Sequence, residues 1–80
     1  IYAVYAFCRV VDDVADGPGT AAERLAALDA WEAELARAFR GRPLTAVGEE
    51  LARAQRRFAL PEAEFALILE GMRMDAAPLV

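Results

Sequence analysis

The chain has no histidine, no lysine and one cysteine, and none of its apolar runs is longer than the first eight residues. Each shortage removes a class of function. Without histidine there is no imidazole base and no His-ligated metal. Cys8 alone cannot form a disulfide within the chain. The nine basic residues, all arginine, are outnumbered by thirteen acidic ones, for a net charge of −4. A nucleic-acid reader needs a basic face to displace counterions, so nucleic acid is not an expected partner. The same balance argues against a polybasic membrane anchor. The run Ile1–Cys8 falls well short of the ~20 apolar residues of a spanning helix. No charged segment precedes it, so it does not read as a signal peptide.

What the chain does have is apolar bulk, 58 % of 80 residues. That fraction excludes disorder. A chain of this length buries about 60–65 % of its unfolded surface, enough for one modest core and no second domain. The first helix is apolar on nearly all sides, as in helices enclosed by a larger protein. Residues 1–80 are therefore expected to form the N-terminal part of a single all-α domain, incomplete as it stands.

Apolar spacing predicts four helices. The first runs from Ile1 to about Asp16 and is stopped by Gly17-Pro18-Gly19. Thr20 lies three residues before Glu23, a capping-box spacing that opens the second. Leu25, Leu28, Trp31, Leu35 and Phe39 form its inner stripe, while Asp29, Glu34, Arg37 and Arg40 lie off it and are assigned to solvent. Gly41-Arg42-Pro43 ends it. Thr45 opens the third helix, with Val47, Leu51, Ala54 and Phe58 on its apolar side. Pro61 suits the first turn of the fourth, where a missing N–H costs nothing. Phe65, Ile68, Leu69 and Met72 form the inner face of that helix, and Pro78 ends it or lies beyond it. No segment alternates with period two long enough for a strand, so the fold class is all-α.

The first helix carries the chemistry. At 100° per residue, Asp12 and Asp16 lie within about 40° of each other, and Tyr5 and Arg9 point the same way. Asp13 lies about a quarter-turn from Asp12, and Phe7, Val10 and Val14 take the opposite side. The three carboxylates fall in the last turns, where the helix dipole is negative, and they repel one another. A divalent cation relieves both problems, and an oxygen-only donor set selects Mg²⁺ or Mn²⁺. Such an ion keeps positions open for phosphate oxygens, which Arg9, one turn upstream, would also bind. A solvated helix end is the competing reading; the apolar flanks and the aligned Tyr5 and Arg9 favour the metal–phosphate one. Asp75, at the edge of the fourth helix's inner face, is either an inward acid needing a partner or a solvated one. Trp31 and Phe39 read as core anchors, and Cys8 as a small core hydrophobe.

Tyr5-Ala6-Phe7-Cys8-Arg9 followed by Asp12-Asp13-Val14-Ala15-Asp16 resembles the first aspartate-rich motif of the squalene/phytoene synthase family. Asp16-Gly17-Pro18, Ala27-Leu28-Asp29-Ala30-Trp31-Glu32 and Glu70-Gly71-Met72-Arg73-Met74-Asp75 follow in the family's order. The resemblance implies an all-α isoprenoid-synthase bundle around a deep cavity, of which this chain holds part. It implies a prenyl transferase performing Mg²⁺-dependent head-to-head (1′–1) condensation of two isoprenyl diphosphates. Asp12 and Asp16 match the motif carboxylates that bind Mg²⁺. Arg9 and Tyr5 match positions that contact the diphosphate. Asp13 falls where the family carries other residues and is the weakest of the three candidate ligands.

The family's second aspartate-rich motif does not follow Met74-Asp75, and its Ser-rich diphosphate contact does not precede the first helix. The 80 residues therefore hold half a metal site, and alone they are expected to be inactive. The leading expectation is a bacterial enzyme joining two farnesyl diphosphates into presqualene diphosphate. The alternatives are a phytoene synthase, joining two geranylgeranyl diphosphates, and a non-catalytic helical interaction module. The resemblance also implies a cytoplasmic enzyme without a transmembrane segment, with peripheral membrane association as a further expectation. Covering the apolar face of the first helix and the Trp31 stripe is expected to need helices beyond these four.

Overall fold

The computed structural model describes residues 2–77 as four α-helices: α1 Tyr2–Ala15, α2 Ala21–Phe39, α3 Ala46–Phe58 and α4 Glu62–Ala76. No strand occurs among the described residues. Pro78 lies outside them. α1 and α2 pack on each other, and each also packs on α3 and α4, which lie across the bundle from each other with no close backbone approach. The result is an elongated bundle of 42 × 20 × 18 Å.

Local chemistry sets the boundaries. Thr20 Oγ1 accepts the Glu23 N–H at 3.1 Å, and the Glu23 carboxylate accepts the Thr20 N–H at 2.7 Å, so the capping box is complete. Thr45 caps α3 by accepting the Gly48 N–H at 2.9 Å. α3 ends at Ala59, which takes a left-handed conformation (φ 52°) and donates its N–H to Gln55 O. Pro61 stands one position earlier than its spacing suggested. It is the N-cap of α4, and its carbonyl accepts the Glu64 N–H at 3.1 Å. α1 is also one residue shorter than expected, leaving Asp16 in the turn.

The core is centred on Phe7, whose ring meets Trp31 at 6.4 Å and Phe65 at 5.5 Å, both edge-on. Phe65 in turn meets Phe39 at 5.8 Å. Such edge-to-face pairs add about 0.5–1.5 kcal/mol beyond the area they bury. Leu28, Leu51 and Leu69 complete the sealed interior.

Four expectations need correction. The buried seam of α1 is Ala3, Phe7, Val11 and Ala15, at a spacing of four, whereas Val10 and Val14 only flank it. Phe7, Leu28 and Leu35 are already enclosed by these four helices, while Trp31 and Phe39 stay half-buried. Phe58 is 58 % exposed, because α3 turns away at Ala59 before that ring reaches the core. Most consequentially, Glu34 is buried rather than solvated.

Glu34 holds the connection from α2 to α3. Its Oε2 accepts the Leu44 N–H at 2.9 Å, the Thr45 N–H at 2.8 Å and the Thr45 hydroxyl at 2.8 Å. Its Oε1 accepts Arg37 Nε at 3.0 Å and Nη2 at 2.9 Å. Room for the carboxylate comes from Gly48, where a Cβ would stand 1.9 Å from Oε2. Burial pushes the Glu34 carboxyl up, but the Thr45, Arg37 and Leu44 hydrogen bonds outweigh it and leave the group below its usual range.

Candidate functional site

The five residues singled out on α1 are all on its solvent side: Tyr5, Arg9, Asp12, Asp13 and Asp16 are exposed. The exposure follows from the seam at residues 3, 7, 11 and 15, since a helix buried along that line must turn its polar stripe outward. Tyr5, Arg9 and Asp12 share one shallow cavity of about 340 Å³ with Cys8 and with Met72 of α4. Asp13 instead lines a second cavity of about 430 Å³, with Gly17, Pro18, Glu23 and Arg24 among its walls. Asp16 lines neither; its N–H donates to Asp12 O at 3.0 Å, continuing the last turn of α1.

Arg9 leans toward Asp13, with Nε 3.4 Å from Oδ2. Both partners are more than 60 % exposed, so solvent screens the pair and it yields readily to a better anion. The Tyr5 hydroxyl, and after it the Asp13 carboxylate, hold the guanidinium further toward its charged form. No side-chain hydrogen bond or ion pair engages Asp12 or Asp16 among the described residues. Burial raises the Cys8 thiol, in keeping with a packing role. Asp75 is exposed, which removes the inward-acid reading.

No three Asp, Glu or Cys side chains among the described residues converge tightly enough to hold an ion by themselves. Asp12 and Asp16, both exposed and four residues apart, offer the carboxylate oxygens that a hard cation such as Mg²⁺ takes alongside water and phosphate oxygens.

Two arginines beyond the α1 stripe, neither assigned a role by the sequence pattern, fix the surrounding frame. Arg73 Nη2 reaches from α4 to Asp29 Oδ1 at 2.8 Å and Glu32 Oε1 at 2.6 Å on α2. Arg24 Nε and Nη2 donate to Ala76 O at 3.0 and 2.9 Å, and Nη1 donates to Gly19 O at 2.6 Å. The acidic spacing Asp29, Glu32 and the basic Arg73 were visible in sequence, but nothing local said that they meet.

These features define an all-α protein with an aspartate-rich helix end beside a tyrosine and an arginine. The chain belongs to the squalene/phytoene synthase family, whose sequence model matches residues 1–78. It is 42 % identical over 78 residues to a phytoene synthase of Thermus thermophilus, covering 98 % of this chain and 26 % of that protein. It is 41 % identical over 75 residues to the chloroplastic phytoene synthase 1 of Arabidopsis thaliana, covering 94 % of this chain and 18 % of the relative. A 15-cis-phytoene synthase of Synechococcus elongatus is 40 % identical over 75 residues, 94 % of this chain and 24 % of the relative. The chain thus spans about a fifth to a quarter of the length of these relatives. No solved structure matches it. No helix among the described residues is long and apolar enough to cross a membrane.

Proposed function

We propose that this chain carries the first aspartate-rich half of the active site of a phytoene synthase, a prenyl transferase joining two geranylgeranyl diphosphates head to head. The observation carrying the reading is the grouping of Tyr5, Arg9 and Asp12 around one cavity on the open face of α1, together with family membership. The named relatives are phytoene synthases, which favours the geranylgeranyl alternative over the presqualene route expected first.

In this reading Asp12 and Asp16 hold a Mg²⁺ or Mn²⁺ ion by their unpaired carboxylates. When bound, the cation offsets the charge that collects on a departing diphosphate. Arg9 exchanges its weak partner Asp13 for phosphate oxygens, a stronger charge-assisted pairing. Tyr5, one turn before Arg9, orients that guanidinium and offers a hydroxyl to the same anion. Asp13, which pairs with Arg9 and faces the other cavity, is the weakest of the three candidate ligands. In this reading the parent enzyme acts in the cytoplasm, peripheral to the membrane.

The test is turnover of geranylgeranyl diphosphate by the full-length protein. Asp12→Asn and Asp16→Asn are expected to lower it by at least about 100-fold with the helix content intact, and Asp13→Asn by only a few-fold. Near-native turnover of either of the first two at limiting Mg²⁺ would sink the assignment. Equal losses at all three would place Asp13 among the ligands. Preference for farnesyl diphosphate would restore the presqualene reading.

A further inference from the structure

Asp16 does not belong to α1, which ends at Ala15. Helix geometry alone therefore does not fix its carboxylate relative to Asp12. One backbone bond, Asp16 N–H to Asp12 O at 3.0 Å, continues the turn, and Gly17 N–H follows to Val14 O at 3.2 Å. Terminal turns held by one or two such bonds fray. Beyond them the chain runs through Pro18 and Gly19 into the Thr20 cap of α2. Gly19 (φ 99°) is in the left-handed region, where a side chain is strained.

One side chain grips this loop from the far side. Arg24 donates Nη1 to Gly19 O, three residues after Asp16, and both Nε and Nη2 to Ala76 O at the end of α4. The Ala76 carbonyl belongs to the last turn of α4, where carbonyls lack helical partners and the dipole is negative, so a guanidinium there is well placed. The planar guanidinium fixes both acceptors at once, which a lysine ammonium on its flexible stem does not. The same turn of α4 carries Arg73, locked to Asp29 and Glu32, and lies just beyond Met72, the α4 wall of the Tyr5–Arg9–Asp12 cavity. Arg24 thus joins the loop that carries Asp16 to the helix that closes the cavity.

We infer that Arg24 is a positioning residue for the diphosphate–metal site: it holds Asp16 in register with Asp12 by clamping Gly19 O to the end of α4. The inference rests on the proposed function, since it needs Asp12 and Asp16 to be the ligands. It adds a residue that touches neither metal nor substrate.

The experiment is calorimetric titration of magnesium pyrophosphate, at constant excess Mg²⁺, into the full-length protein and its variants. Arg24→Ala is expected to weaken binding about tenfold, the low end of the 10–100-fold typical when a group that orients a metal ligand is lost. Arg24→Lys, keeping charge but a single donor head, should fall between Arg24→Ala and the parent. Thr45→Ala removes the cap of α3, which takes no part in the Arg24 clamp, and should lower stability while leaving the titration unchanged. If Arg24→Ala binds like the parent while Asp12→Asn does not bind, the positioning role is wrong and the site assignment stands. If Asp12→Asn also binds like the parent, the site assignment fails and the positioning role falls with it. Should Arg24→Ala not fold, Arg24→Lys decides: parental affinity overturns the inference, and a several-fold loss with unchanged helix content upholds it.

Discussion

Removing the Glu34 side chain is expected to be among the most damaging single changes outside the aromatic core. Glu34→Ala leaves the Leu44 and Thr45 N–H groups and the Thr45 hydroxyl without their acceptor, and strips Arg37 of its partner. Deleting one member of a buried, charge-assisted set costs about 3–5 kcal/mol. Leu44 and Arg37 lie near enough to solvent to recover part of that, so the expected loss is about 3 kcal/mol. Thermal and urea melts followed by circular dichroism measure it, and a loss below about 1 kcal/mol would refute the clamp.

Gly48 sharpens the test. In the parent, Gly48→Ala thrusts a Cβ to within 1.9 Å of Glu34 Oε2 and expels the carboxylate, so it should cost nearly as much as Glu34→Ala. Once Glu34 is alanine, the closest remaining neighbour is Pro43 Cβ at 3.0 Å, and the helix preference for alanine offsets about 0.5–1 kcal/mol. Gly48→Ala should then be close to neutral. Independent, additive costs in this cycle would show that the two positions do not share one space.

The Glu34 carboxyl is held below its ordinary value of 4.5, so its share of stability is complete above that value and is lost as pH falls through the lower, folded one; denaturation melts between pH 6 and 3 should show the decline, and Glu34→Gln should flatten it. Thr20→Ala removes the Oγ1 acceptor of the Glu23 N–H and keeps the backbone half of the capping box, and is expected to cost about 1 kcal/mol, read in urea melts. Phe58→Ala should cost less than about 1 kcal/mol, because the ring is mostly in solvent, whereas Phe7→Ala, at the meeting point of Trp31 and Phe65, should cost about 3–5 kcal/mol.

The helices and their starts were legible in the sequence because each rests on a local signal. Thr20 and Glu23 are three residues apart, Thr45 precedes a helical run, and Gly17-Pro18-Gly19 and Pro61 interrupt the chain. The inner faces of α2 and α4 were likewise readable from spacing. Glu34 was not, because its burial depends on partners ten and eleven residues away and on the missing side chain at Gly48. On a helical wheel it looks like any solvated acid three residues before an arginine. Phe58 fails for the opposite reason: it has the right spacing, but α3 ends before the bundle can cover it. Among the candidate site residues, the shared direction of Tyr5, Arg9 and Asp12 was readable from periodicity. The diversion of Asp13 to another cavity was foreshadowed by its quarter-turn offset. The reach of Arg24 to Ala76 spans fifty-two residues and has no local trace.

The lack of any close backbone approach between α3 and α4 has a mechanical consequence. α1 and α2 form a spine, and the other two helices are outriggers joined by the short link through Ala59, Leu60 and Pro61 and by the core they share. A disturbance in one outrigger reaches the other along the spine, through that link or through the core. α3 can therefore open to solvent exchange while the Arg24 and Arg73 ties hold α4 in place. The cavity wall at Met72 is thus removed from α3, whereas the Tyr5 end of the α1 stripe is not: Tyr5 shares a cavity with Phe58, so changes on α3 reach the site through Tyr5 rather than through Met72.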